Sequence, residues 1–170
     1  MEDLDLQKWM QWNKSHVNEP VVMPLQPVTR ESVEERFELM RKNYERSYDM
    51  EWAFLEDNDI PTDLGDVFGN YVSRGHNPDE PGKFYKGSLS VFWEAGLVRG
   101  VWEIGASQYQ FGKGFWHKGF LAFDFCYTDL DKTFEGQVIF KAIGPGRFRG
   151  FWTDEEAFVP GFEEILMVTE

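Results

Sequence analysis

Cysteine is nearly absent. The single Cys126 leaves no partner for an intrachain disulfide, so packing has to hold the fold, and a reducing compartment is the expectation. The thiol falls within the apolar run 120–127, where the sequence predicts a small packed hydrophobe. Basic side chains are also scarce, 17 against 30 acidic, which leaves a net charge of −13. Such a surface repels a phosphate backbone or an anionic bilayer, so nucleic acid and membrane are set aside as partners. The imbalance forms no tail: residues 1–60 carry 14 acidic and 7 basic side chains, net −7, and the remainder supplies the other −6. No stretch approaches the roughly 18 uninterrupted apolar residues of a membrane span. The first residues contain neither the basic nor the apolar segment of a leader peptide, and a soluble, cytoplasmic protein is expected.

Glycine is missing from residues 1–64, and all 16 glycines fall between Gly65 and Gly161. That boundary predicts two parts, an N-terminal helical extension over 1–64 and a β-domain over 65–170. In the first part Thr29 is placed to cap a helix of about four turns, because Val33, Phe37, Met40 and Tyr44 recur at spacings of four, three and four among charged residues. Leu6, Trp9 and Met10 suggest a shorter helix before it. Residues 48–55 suggest a continuation, and Pro20 to Pro27 an extended connector.

After Gly65 the apolar period changes from 3.6 to 2, and aromatic-rich runs are cut at short intervals by Gly, Pro and Asp. Eight strands are expected, at 67–74, 84–94, 97–105, 108–117, 120–128, 133–143, 147–153 and 163–169. A meander with one apolar face must find a second sheet or close on itself, and eight strands suffice for closure. The fold class expected is therefore mainly β (α+β): an eight-stranded antiparallel meander β-barrel with a helical extension. Three Gly-x-Trp units, at Gly100/Trp102, Gly114/Trp116 and Gly150/Trp152, put glycine and indole on one face of their strands. The same parity turns Tyr85, Leu89, Val91, Trp93, Val98, Leu121, Phe123, Phe125, Val138, Phe140 and Phe148 inward. Lys86, Arg99, Glu103, Glu135, Gln137, Lys141 and Arg149 then fall on the outer face.

The spaced set Gly69-x-Tyr71, Gly75-x-Asn77-Pro78, Tyr85-x-Gly87, Trp102, Gly112-x-Gly114, Leu121, Gly136 and Phe148-x-Gly150-x-Trp152-Thr153 resembles the meander barrels of the calycin and lipocalin-like group. The resemblance covers about residues 66–170. It implies a barrel that holds a small apolar ligand. The Gly-x-Trp units sit on later strands than the first-strand position that group favours.

Familiar catalytic signatures are missing. There is no Gly-x-Ser-x-Gly elbow, Walker loop or His-Glu-x-x-His, and His16, His76 and His117 are too scattered for a metal site, so no metal and no cofactor is expected. The run 57–63 begins like a calcium loop, but Pro61 stands where a ligand is needed, and a solvated acidic loop is the simpler reading. Two side chains are candidate acid–base groups. Asp124 is flanked by Ala122, Phe123, Phe125 and Cys126, where desolvation would raise its pKa, although parity places it outside, paired with Arg99 or Arg149. His117 ends its strand, where barrel mouths and turns are found. Candidate ligand-binding residues are Tyr85, Trp93, Trp102, Phe123, Phe125, Phe140 and Trp152, as stacking walls or as plain core.

Three functions compete. The first is binding of a hydrophobic or aromatic small molecule within the barrel. The second is a cofactor-independent enzyme of the cyclase, isomerase or dehydratase type acting on such a molecule through Asp124 or His117. The third is a protein-interaction module. A homodimer is compatible with each. An interior of roughly 300 Å³ or more favours the first two. The helix is open to two placements, a lid over the barrel or a brace on its outer wall against Phe92, Val101 and Phe151.

Overall fold

In the computed structural model, residues 25–48, 64–78, 82–105, 108–155 and 159–168 are described. The expected helix around Leu6, Trp9 and Met10, the stretch after residue 48 and the acidic loop at 57–63 lie outside them. Eight strands follow in order: β1 Gly69–His76, β2 Phe84–Glu94, β3 Leu97–Ile104, β4 Gln108–His117, β5 Phe120–Asp129, β6 Lys132–Gly144, β7 Arg147–Asp154 and β8 Gly161–Met167. Each pairs antiparallel with the next, and β8 closes on β1. The alternation thus produces a closed meander barrel, as its pattern predicts, with every ladder edge paired.

The two ends of the barrel differ. At one end β2–β3 and β4–β5 turn in two residues, Ala95-Gly96 and Lys118-Gly119, all four with left-handed φ (53°, 78°, 49° and 88°). These are the primed turns whose twist matches the strands they join. A 3₁₀ turn, Leu64–Val67, plugs this end: Val67 is buried with Phe68 beside it, and the Tyr71 hydroxyl donates to the Val67 carbonyl at 2.7 Å. The other end carries the connections β1–β2, β3–β4, β5–β6 and β7–β8. This loop end is where the polar interior groups collect.

Inside, one cluster joins Tyr71, Leu89, Val91, Val98, Trp102, Leu121, Phe123, Phe125, Val138, Phe140, Phe148 and Ile165. The inward parity read from β2, β3, β5, β6 and β7 is the observed one. At the loop end, large rings fit because glycine faces them. Gly75, Gly136 and Gly161 are the register partners of Tyr85, Phe125 and Trp152. A Cβ on Gly161 would lie 2.8 Å from Trp152 Nε1, and one on Gly112 would lie 2.7 Å from the Trp102 ring.

The helix α1, Val33–Tyr48, is a brace. Thr29 Oγ1 accepts from the Ser32 backbone N–H at 3.2 Å just ahead of it, as the expected cap. Its stripe of Val33, Phe37, Met40 and Tyr44 is buried on the outer wall against Phe120, Ala122, Ile139, Phe151 and Phe162. Of the three outer-wall residues expected beneath it, only Phe151 is there; Phe92 and Val101 lie half-buried on β2 and β3. The rest of the footprint comes from single outward apolar residues on otherwise mixed faces: Phe120 and Ala122 of β5, Ile139 of β6 and Phe162 of β8. Cys126 corrects another expectation: it is exposed, because its parity is that of Asp124 and α1 does not cover it.

One polar contact fixes the helix. His76 is 1% exposed, its Nδ1 lies 2.8 Å from the Asn77 carbonyl, and its Nε2 lies 2.6 Å from the Tyr44 hydroxyl. Nδ1–H donates to the carbonyl, so Nε2 accepts from Tyr44, and burial lowers the histidine's pKa below its ordinary 6.5. A depressed histidine costs stability once the unfolded chain begins to take up protons. The His76 contribution should therefore be constant above about pH 6.5 and fall as pH drops below it, so the stability of wild type relative to His76→Gln in urea melts across pH 5–8 should change only on the acid side of that value. Phe37→Ala, which empties the centre of the brace interface, should cost about 3–5 kcal/mol in the same measurement.

Candidate functional site

Glutamate on a barrel's inner face is unusual, and β8 supplies one. Its alternation turns Gly161, Glu163 and Ile165 inward and Phe162, Glu164 and Leu166 outward; Phe162 meets α1, and Glu164 lies 3.7 Å from Arg149. Glu163 is only 5% exposed. Its Oε1 accepts from the Tyr85 hydroxyl at 2.8 Å, and its Oε2 accepts from Trp102 Nε1 at 3.0 Å. Ser73 Oγ and Trp152 Nε1 are buried beside this pair without completing a hydrogen bond of their own; the serine leans towards the carboxylate and the indole towards the Tyr85 oxygen.

Burial raises the Glu163 pKa above its ordinary 4.5, and the bonds from Trp102 and Tyr85 pull against that rise. Burial and the neighbouring carboxylate push the Tyr85 phenol well above its ordinary 10, so it stays a donor. These groups border a cavity of about 30 Å³, with Trp102, Trp152, Phe125, Val138 and Ile104 as apolar walls. Asn77, Gln108 and Gln110 line it towards the loop end. That volume holds one water-sized group, a tenth of the roughly 300 Å³ interior that favours an enclosed ligand, and the rest of the bore is filled by side chains.

The sequence candidates divide. Tyr85, Trp102, Phe125 and Trp152 come together around this cavity. Phe123 and Phe140 are buried deeper, as core. Trp93 keeps inward parity but sits one pair from the Ala95-Gly96 turn at the opposite end, and at 55% exposed it faces solvent at the rim.

Asp124 and His117 lie apart from the cavity. Asp124 stands on the outer wall opposite Lys113 rather than against Arg99 or Arg149, in an open groove of about 550 Å³ beneath Leu25, Gln26 and Pro27. Partial covering raises its pKa from 3.8, while Lys113 and Gln137 draw it back. His117 is half-buried at the end of β4, in a recess with Arg30, Glu31 and Glu34. Among the described residues no cluster of His, Cys, Asp and Glu could hold a metal ion, and no helix is long and apolar enough to cross a membrane.

Sequence reasoning missed Glu163, Ser73, Asn77, Gln108 and Gln110. The signal present was Gly161-x-Glu163-x-Ile165, which carries inward glycine at the same parity as the Gly-x-Trp units.

No protein-family model matches the chain, and no curated protein does. Solved structures similar to it include two redesigned barrels. The redesigned β-barrel b11L5F_LGL shares 14% identity at a TM-score of 0.53, covering 66% of this chain and 100% of that one. The redesigned β-barrel mFAP1, solved bound to DFHBI, shares 16% identity at a TM-score of 0.50, covering 61% of this chain and 96% of that one. At such identities the likeness is one of fold, a closed barrel, and names no family.

Glu163→Gln tests the electrostatics of the site. A carboxyl whose folded pKa is raised gives stability that is complete below pH 4.5 and lost as pH climbs through the raised value. The amide offers one acceptor fewer, a pH-independent cost of about 1–3 kcal/mol. Relative to wild type, the variant should gain stability in denaturant melts as pH rises above 4.5 and through the raised Glu163 value. A difference independent of pH would mean that Glu163 titrates normally.

Proposed function

We propose that this protein binds a small aromatic molecule at the loop end of its barrel, inserting a polar head into the cavity beside Glu163. The observation that carries this reading is the carboxyl itself. A buried carboxyl lowers stability unless something compensates it, and here Tyr85, Trp102, Ser73 and Trp152 are gathered round it in a core that hydrophobic side chains would otherwise fill. Such groups are retained where they meet a ligand. The body of the ligand rests at the mouth, against Trp152, Ile104 and the amides of Asn77, Gln108 and Gln110, since the cavity admits the head alone. The structure solved with DFHBI supports the reading to the extent that a barrel of this fold holds a small molecule.

Catalysis through Asp124 or His117 is disfavoured by where those two side chains lie. Asp124 and His117 lie outside the barrel bore, and neither borders the cavity. The outer groove is a weaker candidate, because it is open to solvent and its carboxylate faces Lys113.

The test uses the indole N–H signals of uniformly ¹⁵N-labelled protein, assigned by Trp→Phe variants and followed during titration with a panel of cationic, neutral and anionic monocyclic aromatics. Binding at this site shifts Trp152 and Trp102 and leaves Trp93 in place. Shifts confined to Trp93, or none with any compound, would refute the reading.

A further inference from the structure

We propose that the head group this cavity accepts is a protonated amine, with Glu163 as its counter-ion and the rings of Trp102, Trp152 and Phe125 as its walls. The inference rests on the ligand-binding reading above and names the ligand's chemical class.

The first support is what surrounds the carboxyl. Its two hydrogen bonds come from neutral donors, the Tyr85 hydroxyl and the Trp102 indole, and among the described residues no lysine, arginine or histidine lines the cavity. Neutral donors orient a carboxylate without cancelling its charge, so an ionised Glu163 is a negative site whose cation the described wall does not supply, and a bound ammonium is what would hold it ionised.

Size is the second. About 30 Å³ is close to the space one water occupies, and an ammonium head is of that size. A carboxylate or phosphate is larger and would meet Glu163 as a like charge. A quaternary ammonium, with methyl groups in place of N–H, is larger still.

The walls are the third. Indole and phenyl faces attract a cation through their quadrupoles, more strongly where water is excluded. The amide oxygens of Asn77, Gln108 and Gln110, towards the mouth, are acceptors for N–H groups that Glu163 does not take. Beyond the site, a net charge of −13 draws cations towards the protein and holds anions off.

The experiment is calorimetric titration of the full chain with three probes of one shape and different heads: 2-phenylethylamine, 2-phenylethanol and 3-phenylpropionate. Wild-type protein should bind the amine at least tenfold more tightly than the alcohol and should not bind the carboxylate. Glu163→Gln should bring amine and alcohol to equal affinity, with near-ultraviolet circular dichroism reporting that the tryptophan packing is intact. Because the wild-type comparison needs no variant, the proposal stays testable if the substitution unfolds the barrel. Equal binding of amine and alcohol by the wild type, or preference for the carboxylate, overturns the amine assignment while leaving the ligand site standing. Heat from none of the three, with silent Trp102 and Trp152 signals throughout the broader panel, overturns both.

Discussion

The bore of an eight-stranded barrel is too narrow for rings facing rings at one level, and at the loop end this chain meets that limit by setting aromatic side chains against glycine. Tyr85 faces Gly75, Phe125 faces Gly136 and Trp152 faces Gly161, while the Trp102 indole crosses Gly112. A ring buried as Trp102 and Phe125 are contributes roughly 4 to 6 kcal/mol of transfer free energy, on about 150–250 Å² at 25 cal/mol/Å², and the half-buried Tyr85 and Trp152 contribute less. The gain depends on the missing Cβ across the ladder. The arrangement also fixes what is left over, because rings seated so closely leave a space of about 30 Å³. Every functional statement about the interior follows from that residue of volume and the groups that border it.

Glu163 occupies the edge of this space, and its burial is unfavourable unless its neighbours compensate it. Desolvating a carboxylate costs several kcal/mol, and two hydrogen bonds from Tyr85 and Trp102, at about 1.5–3 kcal/mol each for a charged acceptor, offset much of it. A hydrocarbon at this position would cost nothing comparable. The carboxyl therefore trades stability for a polar point inside an aromatic wall. The brace contributes from outside: α1 covers Phe151 and Phe162, neighbours in sequence of Trp152 and Glu163, and Tyr44 holds His76, whose own bond reaches Asn77 at the cavity's mouth.

Most of the fold was legible because period-two alternation survives in β2, β3, β5, β6 and β7, where one face is apolar and the other charged. The capped helix was legible for the same kind of reason, through the spacing of Val33, Phe37, Met40 and Tyr44. The site was harder. In β8 both faces carry apolar residues, since Phe162 packs on α1 while Ile165 packs in the bore, so alternation alone does not say where Glu163 points. Trp93 shows the converse limit: its parity is inward, but parity carries no depth, and one pair from a turn an inward side chain meets solvent. The helix footprint escaped the sequence for a different reason: parity already turns Phe120, Ala122 and Ile139 outward, but Phe92, Val101 and Phe151 are the more conspicuous outward apolar residues, and of these only Phe151 lies beneath the brace.

The most direct measurement of the central claim is a carbon-detected NMR titration of the Glu163 side-chain carboxyl in the intact protein. A carboxyl buried among rings and bonded only by neutral donors should titrate with a midpoint above the ordinary glutamate value, and the Trp102 indole N–H should move with the same midpoint through its hydrogen bond. A Glu163 midpoint in the ordinary range, with the Trp102 signal indifferent to it, would mean that the carboxyl is solvated and that the barrel has no polar interior site.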